Sequence, residues 1–196
     1  MPRNAKMHRT TEETDVSVNI KLDGVGNSLI QTGIGFFDHL LTILSKHSDL
    51  DLQVAAKGDL QVDQHHTVED VGIVLGQVLD QALGSRHGIL RFGYAYCPLD
   101  ESLARSVIDI SGRSFFHFQS YQTLAHVGGF DGCLLPEFLR AIAFNAKLTV
   151  HVDLLRGQNQ HHIQEAIIKS FGCALKMAVA VNKKGHRIPS SKGTLV

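Results

Sequence analysis

The chain has 196 residues, of which 43% are hydrophobic and 19% charged, enough length and apolar content for one compact domain or two small fused ones. Nineteen basic residues balance nineteen acidic ones, so no net positive field gathers nucleic acid or an anionic membrane. No apolar run has the length of a membrane span, residues 1–11 lack a hydrophobic signal core, and Cys97, Cys133 and Cys173 form no C-x-x-C pair, which together point to a cytoplasmic protein without a disulfide framework or a thiolate zinc site.

In chain order, alternating apolar residues predict strands over 16–22 and 27–32, on either side of Asp23-Gly24. Phe37, Leu40, Leu41 and Leu44 recur at helical spacing, Leu50, Leu52 and Val54 alternate as a strand, and Lys57-Gly58-Asp59 turns the chain. A second helix starts near His65 or His66, turns Val68, Val71, Leu75, Val78, Leu79 and Ala82 inward, and stops at Gly84. The pattern then repeats. Strands are predicted over 103–110 and 114–119 around Ser111-Gly112, then a helix with Pro136 in its first turn, and a strand through Leu148, Val150 and Val152. A last helix buries Ile163, Ile167, Phe171, Ala174 and Leu175.

Direct alignment supports a duplication. Residues 50–70, ending in Q-H-H-T-V-E-D, align without a gap on residues 146–166, ending in Q-H-H-I-Q-E-A, and with a two-residue gap upstream His39 falls opposite Glu137. The expected fold is therefore α+β, a single domain over 1–196 built from two half-domains (about 1–88 and 89–182) followed by a tail at 183–196. Strands, helix, strand, helix, twice over, is not the alternation of a doubly wound nucleotide fold, and no G-x-G-x-x-G or Walker loop is present.

Twelve histidines give the sequence its chemistry. Neighbouring side chains on a helix point about 100° apart, so His65 and His66 do not suit one ion, and a His-His-x-x-Glu run fits two different centres. The first copy offers His65, His66 and Glu69, with His39 or His47 from the preceding helix. The second offers His161, His162 and Glu165, with Glu137 or His151. Imidazole and carboxylate without thiolate suit Mn, Fe, Co or Zn. A single copy reads more simply as local helix capping, whereas two copies at equivalent points of a repeat favour metal. Read one at a time, Lys169 is an i,i+4 ion-pair partner of Glu165, Arg91 and Arg113 are surface arginines, and Asp100 and Glu101 form a solvated turn. Ser190, Ser191 and Lys192 together form a hydroxyl and ammonium cluster suited to an anion.

The chain contains R-T-T-E-E-T-D (9–15), G-F-F-D-H-L-L (35–41), D-Q-H-H-T-V-E-D (63–70), R-F-G (91–93), D-I-S-G-R (109–113), N-Q-H-H-I-Q-E-A-I-I-K (159–169) and S-S-K-G (190–193) in that order. In these motifs the sequence resembles the imidazoleglycerol-phosphate dehydratase family. The resemblance implies a helical layer between two four-stranded sheets and a homo-24-mer with two Mn(II) per subunit at subunit junctions. Its metal ligands fall on His39, His65, His66, Glu69, His161, His162 and Glu165, and an eighth position, histidine in some members, is Glu137. The implied phosphate contacts are Arg91, Arg113, Lys169, Ser190, Ser191 and Lys192. Glu13 matches a substrate-contacting glutamate, and Glu13 and Glu165 are the candidates for proton transfer.

The implied reaction is dehydration of imidazoleglycerol phosphate to imidazole acetol phosphate in histidine biosynthesis. Metal on the ring acidifies its N–H, the imidazolate expels a hydroxyl to give a diazafulvene, and loss of the next carbon's proton yields an enol and then the ketone. A metal-dependent hydrolase of a phosphorylated metabolite, or an assembly protein glued together by histidines, would use the same residue types.

Overall fold

The computed structural model describes residues 3–182, 188, 190, 191, 193 and 195. The first half runs β1 (Asn4–Thr10), β2 (Thr14–Lys21), β3 (Ser28–Gln31), α1 (Gly35–Ser48), β4 (Asp51–Gly58) and α2 (His65–Leu83). The second half repeats that order as β5 (Phe92–Leu99), β6 (Ser102–Asp109), β7 (Phe115–Gln119), α3 (Leu134–Asn145), β8 (Thr149–Arg156) and α4 (Gln160–Val179). Each half forms a four-stranded sheet of the same topology, β1-β2-β4-β3 and β5-β6-β8-β7. Within each sheet the last pair, β3 with β4 and β7 with β8, is parallel and the others antiparallel.

The four helices fill the space between the sheets, because each sheet has one apolar face to hide. Val16, Val18, Ile20, Leu52 and Val54 point inward from the first sheet, and Ala104, Ile108, Val150, Val152 and Leu154 from the second, all at most 4% exposed. The helices pair across the halves, α1 with α4 and α2 with α3, while α2 lies on β1 and β2 and α4 on β5 and β6. The first helix of each half therefore meets the second helix of the other. That exchange brings residues about 126 positions apart in sequence, such as His39 and Glu165, into contact. Among the described residues no helix is long and apolar enough to cross a membrane.

The residue patterns locate all four helices and six of the eight strands, including the edge strands β3 and β7, but β1 and β5 give no such signal. Both are edge strands whose inward positions hold small or flexible residues, Ala5 and Met7 in β1 and Gly93, Ala95 and Cys97 in β5. Gly93, the last residue of R-F-G, is required by packing: a Cβ there would sit 1.9 Å from the Ala174 carbonyl oxygen of α4. Gly112 of S-G-R has φ +78°, and the Leu195 carbonyl occupies the place a side chain would take. Leu195 is buried, and its carbonyl accepts from Arg86 at 3.0 Å.

Candidate metal centre

Each His-His pair begins a long helix beside a loop that fixes its first turn. The Asn159 side chain accepts from the His161 and His162 amides at the start of α4, and Asp63 accepts from the His65 amide at the start of α2. Within each pair the rings stand nearly perpendicular, 82° for His65 and His66 and 88° for His161 and His162, with centroids 6.4 and 6.3 Å apart. The two members accordingly face different surroundings.

His161 faces α1. Its Nε2 lies 2.8 Å from Glu165 Oε1, and His39 Nε2 reaches the same oxygen at 2.7 Å. Among the described residues these three form a group whose ligand atoms all lie within 4.8 Å of one another. The other carboxylate oxygen, Oε2, is held by Lys169 Nζ at 2.6 Å. Burial acts to raise the Glu165 pKa, but hydrogen bonds from Lys169, His39 and His161 outweigh it and bring the value down to about 2. Two imidazoles and an ionised carboxylate, without sulfur, are a donor set for a first-row divalent cation.

The repeat-related cluster between α2 and α3 is built differently. His65 Nε2 is 3.6 Å from Glu69 Oε2, while Glu69 Oε1 accepts from Arg140 at 3.0 Å. Glu137, opposite His39 in the alignment, accepts from Arg140 Nε at 2.7 Å. A guanidinium thus stands between two carboxylates where the first cluster has an imidazole beside one.

The second histidine of each pair turns toward a hairpin. His66 Nδ1 lies 3.0 Å from Asp59 Oδ2, and its Nε2 lies 3.7 Å from Glu13 Oε1. His162 Nδ1 lies 2.8 Å from Glu101 Oε2. Each partnership raises the imidazole pKa, chiefly through the hydrogen bond that the ring donates to Asp59 or Glu101. The R-T-T-E-E-T-D segment explains how Glu13 reaches the site: Arg9 pairs with Asp70 of α2 at 2.6 Å, and the Thr14 hydroxyl donates to the same carboxylate. Those two contacts clamp the β1–β2 turn to the helix that carries His66.

The comparisons agree on one family. A profile described as imidazoleglycerol-phosphate dehydratase matches residues 32–175. The chain belongs to the imidazoleglycerol-phosphate dehydratase family. Its relatives include the imidazoleglycerol-phosphate dehydratase of Exiguobacterium sp., 51% identical over 97% of both chains. The enzyme of Azoarcus sp. is 50% identical over 98% of this chain and 100% of that one. The crystal structure of the Staphylococcus aureus dehydratase superposes with a TM-score of 0.82 at 42% identity, covering 91% of this chain and 99% of the other. The Pyrococcus furiosus dehydratase, solved in complex with (S)-C348, gives 0.82 at 35% identity over 96% and 100%. Family membership makes the chain a hydro-lyase.

The residues expected to hold phosphate do not gather in one place. Arg91 forms a two-pronged pair with Asp109, at 2.6 and 3.0 Å, and lies over the Phe92 ring. Arg113 sits in the Ser111 turn, its backbone N–H donating to the Ser111 hydroxyl. The Arg91 amide donates to the Ala178 carbonyl, thirteen residues along α4 from Glu165, so the arginine end lies about 20 Å from the three-residue cluster at 1.5 Å per residue. Lys169 belongs to the Glu165 end. Ser190 is half-buried and Ser191 exposed; Lys192 lies outside the described residues.

Three side chains at the site, Asp59, Glu101 and Arg140, were not singled out by the sequence as functional. Arg140 has a visible i,i+3 pairing with Glu137, but nothing in the sequence places it on Glu69. Glu101 reads as a surface turn until the fold sets that turn on α4.

Proposed function

We propose that the chain catalyses the metal-dependent dehydration of imidazoleglycerol phosphate to imidazole acetol phosphate in histidine biosynthesis, in a homo-24-mer holding two Mn(II) per subunit. The observation that carries this reading is the convergence of His39, His161 and Glu165 in a chain that matches the dehydratases along nearly its whole length.

The donor set fits the group. His39, His65, His66, Glu69, His161, His162 and Glu165 would supply imidazole and carboxylate ligands, and Glu137 would join them by exchanging Arg140 for the ion. When bound, the divalent ion supplies Lewis acidity that lowers the pKa of the substrate ring's remaining N–H. Glu13, on its clamped turn and 3.7 Å from His66, would move a proton at the glycerol carbons. Glu165, ionised and hydrogen-bonded, serves as ligand or second proton carrier. The resemblance implies that the hydroxyl on the ring-attached carbon would leave as water to give a diazafulvene, in which the neighbouring carbon's proton is acidified and its loss yields the enol.

The separation of about 20 Å along α4 between the arginine end and the Glu165 cluster exceeds what one small phosphorylated substrate spans. It supports a site completed by another subunit, whose Arg91, Arg113, Ser190, Ser191 and Lys192 would hold the phosphate while this chain supplies the metal donors and Lys169. The direct test is incubation of the Mn(II)-loaded protein with imidazoleglycerol phosphate. Formation of the ketone without release of inorganic phosphate is expected. Phosphate release without ketone would instead indicate the hydrolase, and no turnover would leave an assembly protein.

A further inference from the structure

The two His-His pairs reach the same orientation through carboxylates that are not equivalents in the repeat. In the gapless alignment Asp59 falls opposite Leu155, so the second half has no counterpart to the residue that holds His66. The holder of His162 is Glu101, which immediately precedes the second strand of its hairpin, as Glu13 does in the first half. Glu13 and Glu101 are thus structural counterparts with different attachments. Glu13 faces Nε2 of its histidine from 3.7 Å, because Asp59 already occupies Nδ1. Glu101 occupies Nδ1 of its histidine directly at 2.8 Å. Its other oxygen accepts from the Gln158 and Asn159 amides, at 3.1 and 2.8 Å, and from the Ser102 hydroxyl at 2.9 Å. With both oxygens engaged, Glu101 is tied to the loop that caps α4.

We propose that Asp59 and Glu101 are positioning residues that fix the tautomer of His66 and His162, so that Nε2 of each is the metal-donor nitrogen, and that of the two hairpin glutamates, Glu13 and Glu101, Glu13 alone is thereby left free for proton transfer. A carboxylate accepts but does not donate, so it keeps the proton on Nδ1 and leaves the lone pair on Nε2. It also makes the imidazole a stronger donor, the usual role of a carboxylate behind a metal-bound histidine. His39 and His161 also present Nε2 to Glu165, so all four imidazoles offer the same atom. The duplication thus produces one reactive glutamate and one structural glutamate from the same hairpin position, the difference being whether Asp59 is present.

This inference rests on the metal-dependent reading above, and the experiment separates the two. Mn(II) is titrated into the metal-free, full-length parent, Asp59→Asn, Glu101→Gln and Glu13→Gln proteins, with free Mn(II) followed by its electron paramagnetic resonance signal. A carboxamide can donate to Nδ1 and so stabilise the opposite tautomer. Asp59→Asn and Glu101→Gln are each expected to weaken one Mn(II) site about ten- to a hundredfold. Glu13→Gln is expected to keep parental affinity at both sites while losing turnover. The Co(II) visible spectrum of Glu101→Gln should also differ from that of the parent, which a loss of loop stability alone would not produce. Parental affinity at both sites in Asp59→Asn and Glu101→Gln overturns the inference and leaves the dehydratase reading standing. A parent that takes up no Mn(II) overturns both.

Discussion

Lys169 connects the two roles expected of the α4 end, and replacing it with Met tests which role its charge serves. The ammonium lies 2.6 Å from Glu165 Oε2, with the two side chains 19% and 12% exposed. A fall in the Glu165 pKa from 4.5 to about 2 corresponds to roughly 3 kcal/mol of preference for the carboxylate. Burial opposes it, and Lys169, His39 and His161 together produce it. Assigning Lys169 about half gives roughly 1.5 kcal/mol, within the usual range for a charged hydrogen bond. Lys169→Met should therefore lower the melting temperature of the metal-free protein at pH 7 by about 3–6 °C. The sign of the pH dependence follows from the depressed pKa: the stabilisation is complete above 4.5 and disappears as pH falls through about 2. The gap between parent and variant, followed by circular dichroism, should shrink as pH drops below 4.5. Equal melting at pH 7, combined with a raised KM for the phosphorylated substrate, would refute this reasoning and assign the charge to the phosphate instead.

Gly93→Ala forces a methyl group to within 1.9 Å of the Ala174 carbonyl and should cost about 1–3 kcal/mol through displacement of α4, read as a lower melting temperature; an unchanged value would mean that β5 and α4 can separate freely. Removing metal with a chelator should lower both activity and particle mass, and Mn(II) should restore both; unchanged mass and full turnover after verified removal would exclude metal from both roles. If Glu137 exchanges Arg140 for the ion, Glu137→Ala should weaken one Mn(II) site selectively. Parental Mn(II) stoichiometry and affinity, with a stability loss of only about 0.2–0.5 kcal/mol for the missing ion pair, would remove Glu137 from the ligands.

The sequence by itself determined the duplication, the four helices, six of the eight strands and the two His-His-x-x-Glu runs, because each is written in local spacing. Period 3.6 marks Phe37, Leu40, Leu41 and Leu44, period 2 marks Leu50, Leu52 and Val54, and a repeated motif is visible wherever it folds. The perpendicular setting of His65 against His66 was equally legible, since it follows from helix geometry alone. The strands β1 and β5 were not, because Ala5, Gly93 and Ala95 bury too little apolar surface to produce an alternation. Only the tertiary structure decided partners. His39 reaches Glu165 because α1 packs on α4 rather than on its own neighbour in sequence, and Arg140 reaches Glu69 for the same reason between α3 and α2. Glu101 and Glu13 hold the same hairpin position, yet one is tied to Nδ1 of His162 and the other faces Nε2 of His66. That difference arises from Asp59, a residue near in sequence to His66 whose effect on Glu13 exists only once the β1–β2 turn has closed over α2.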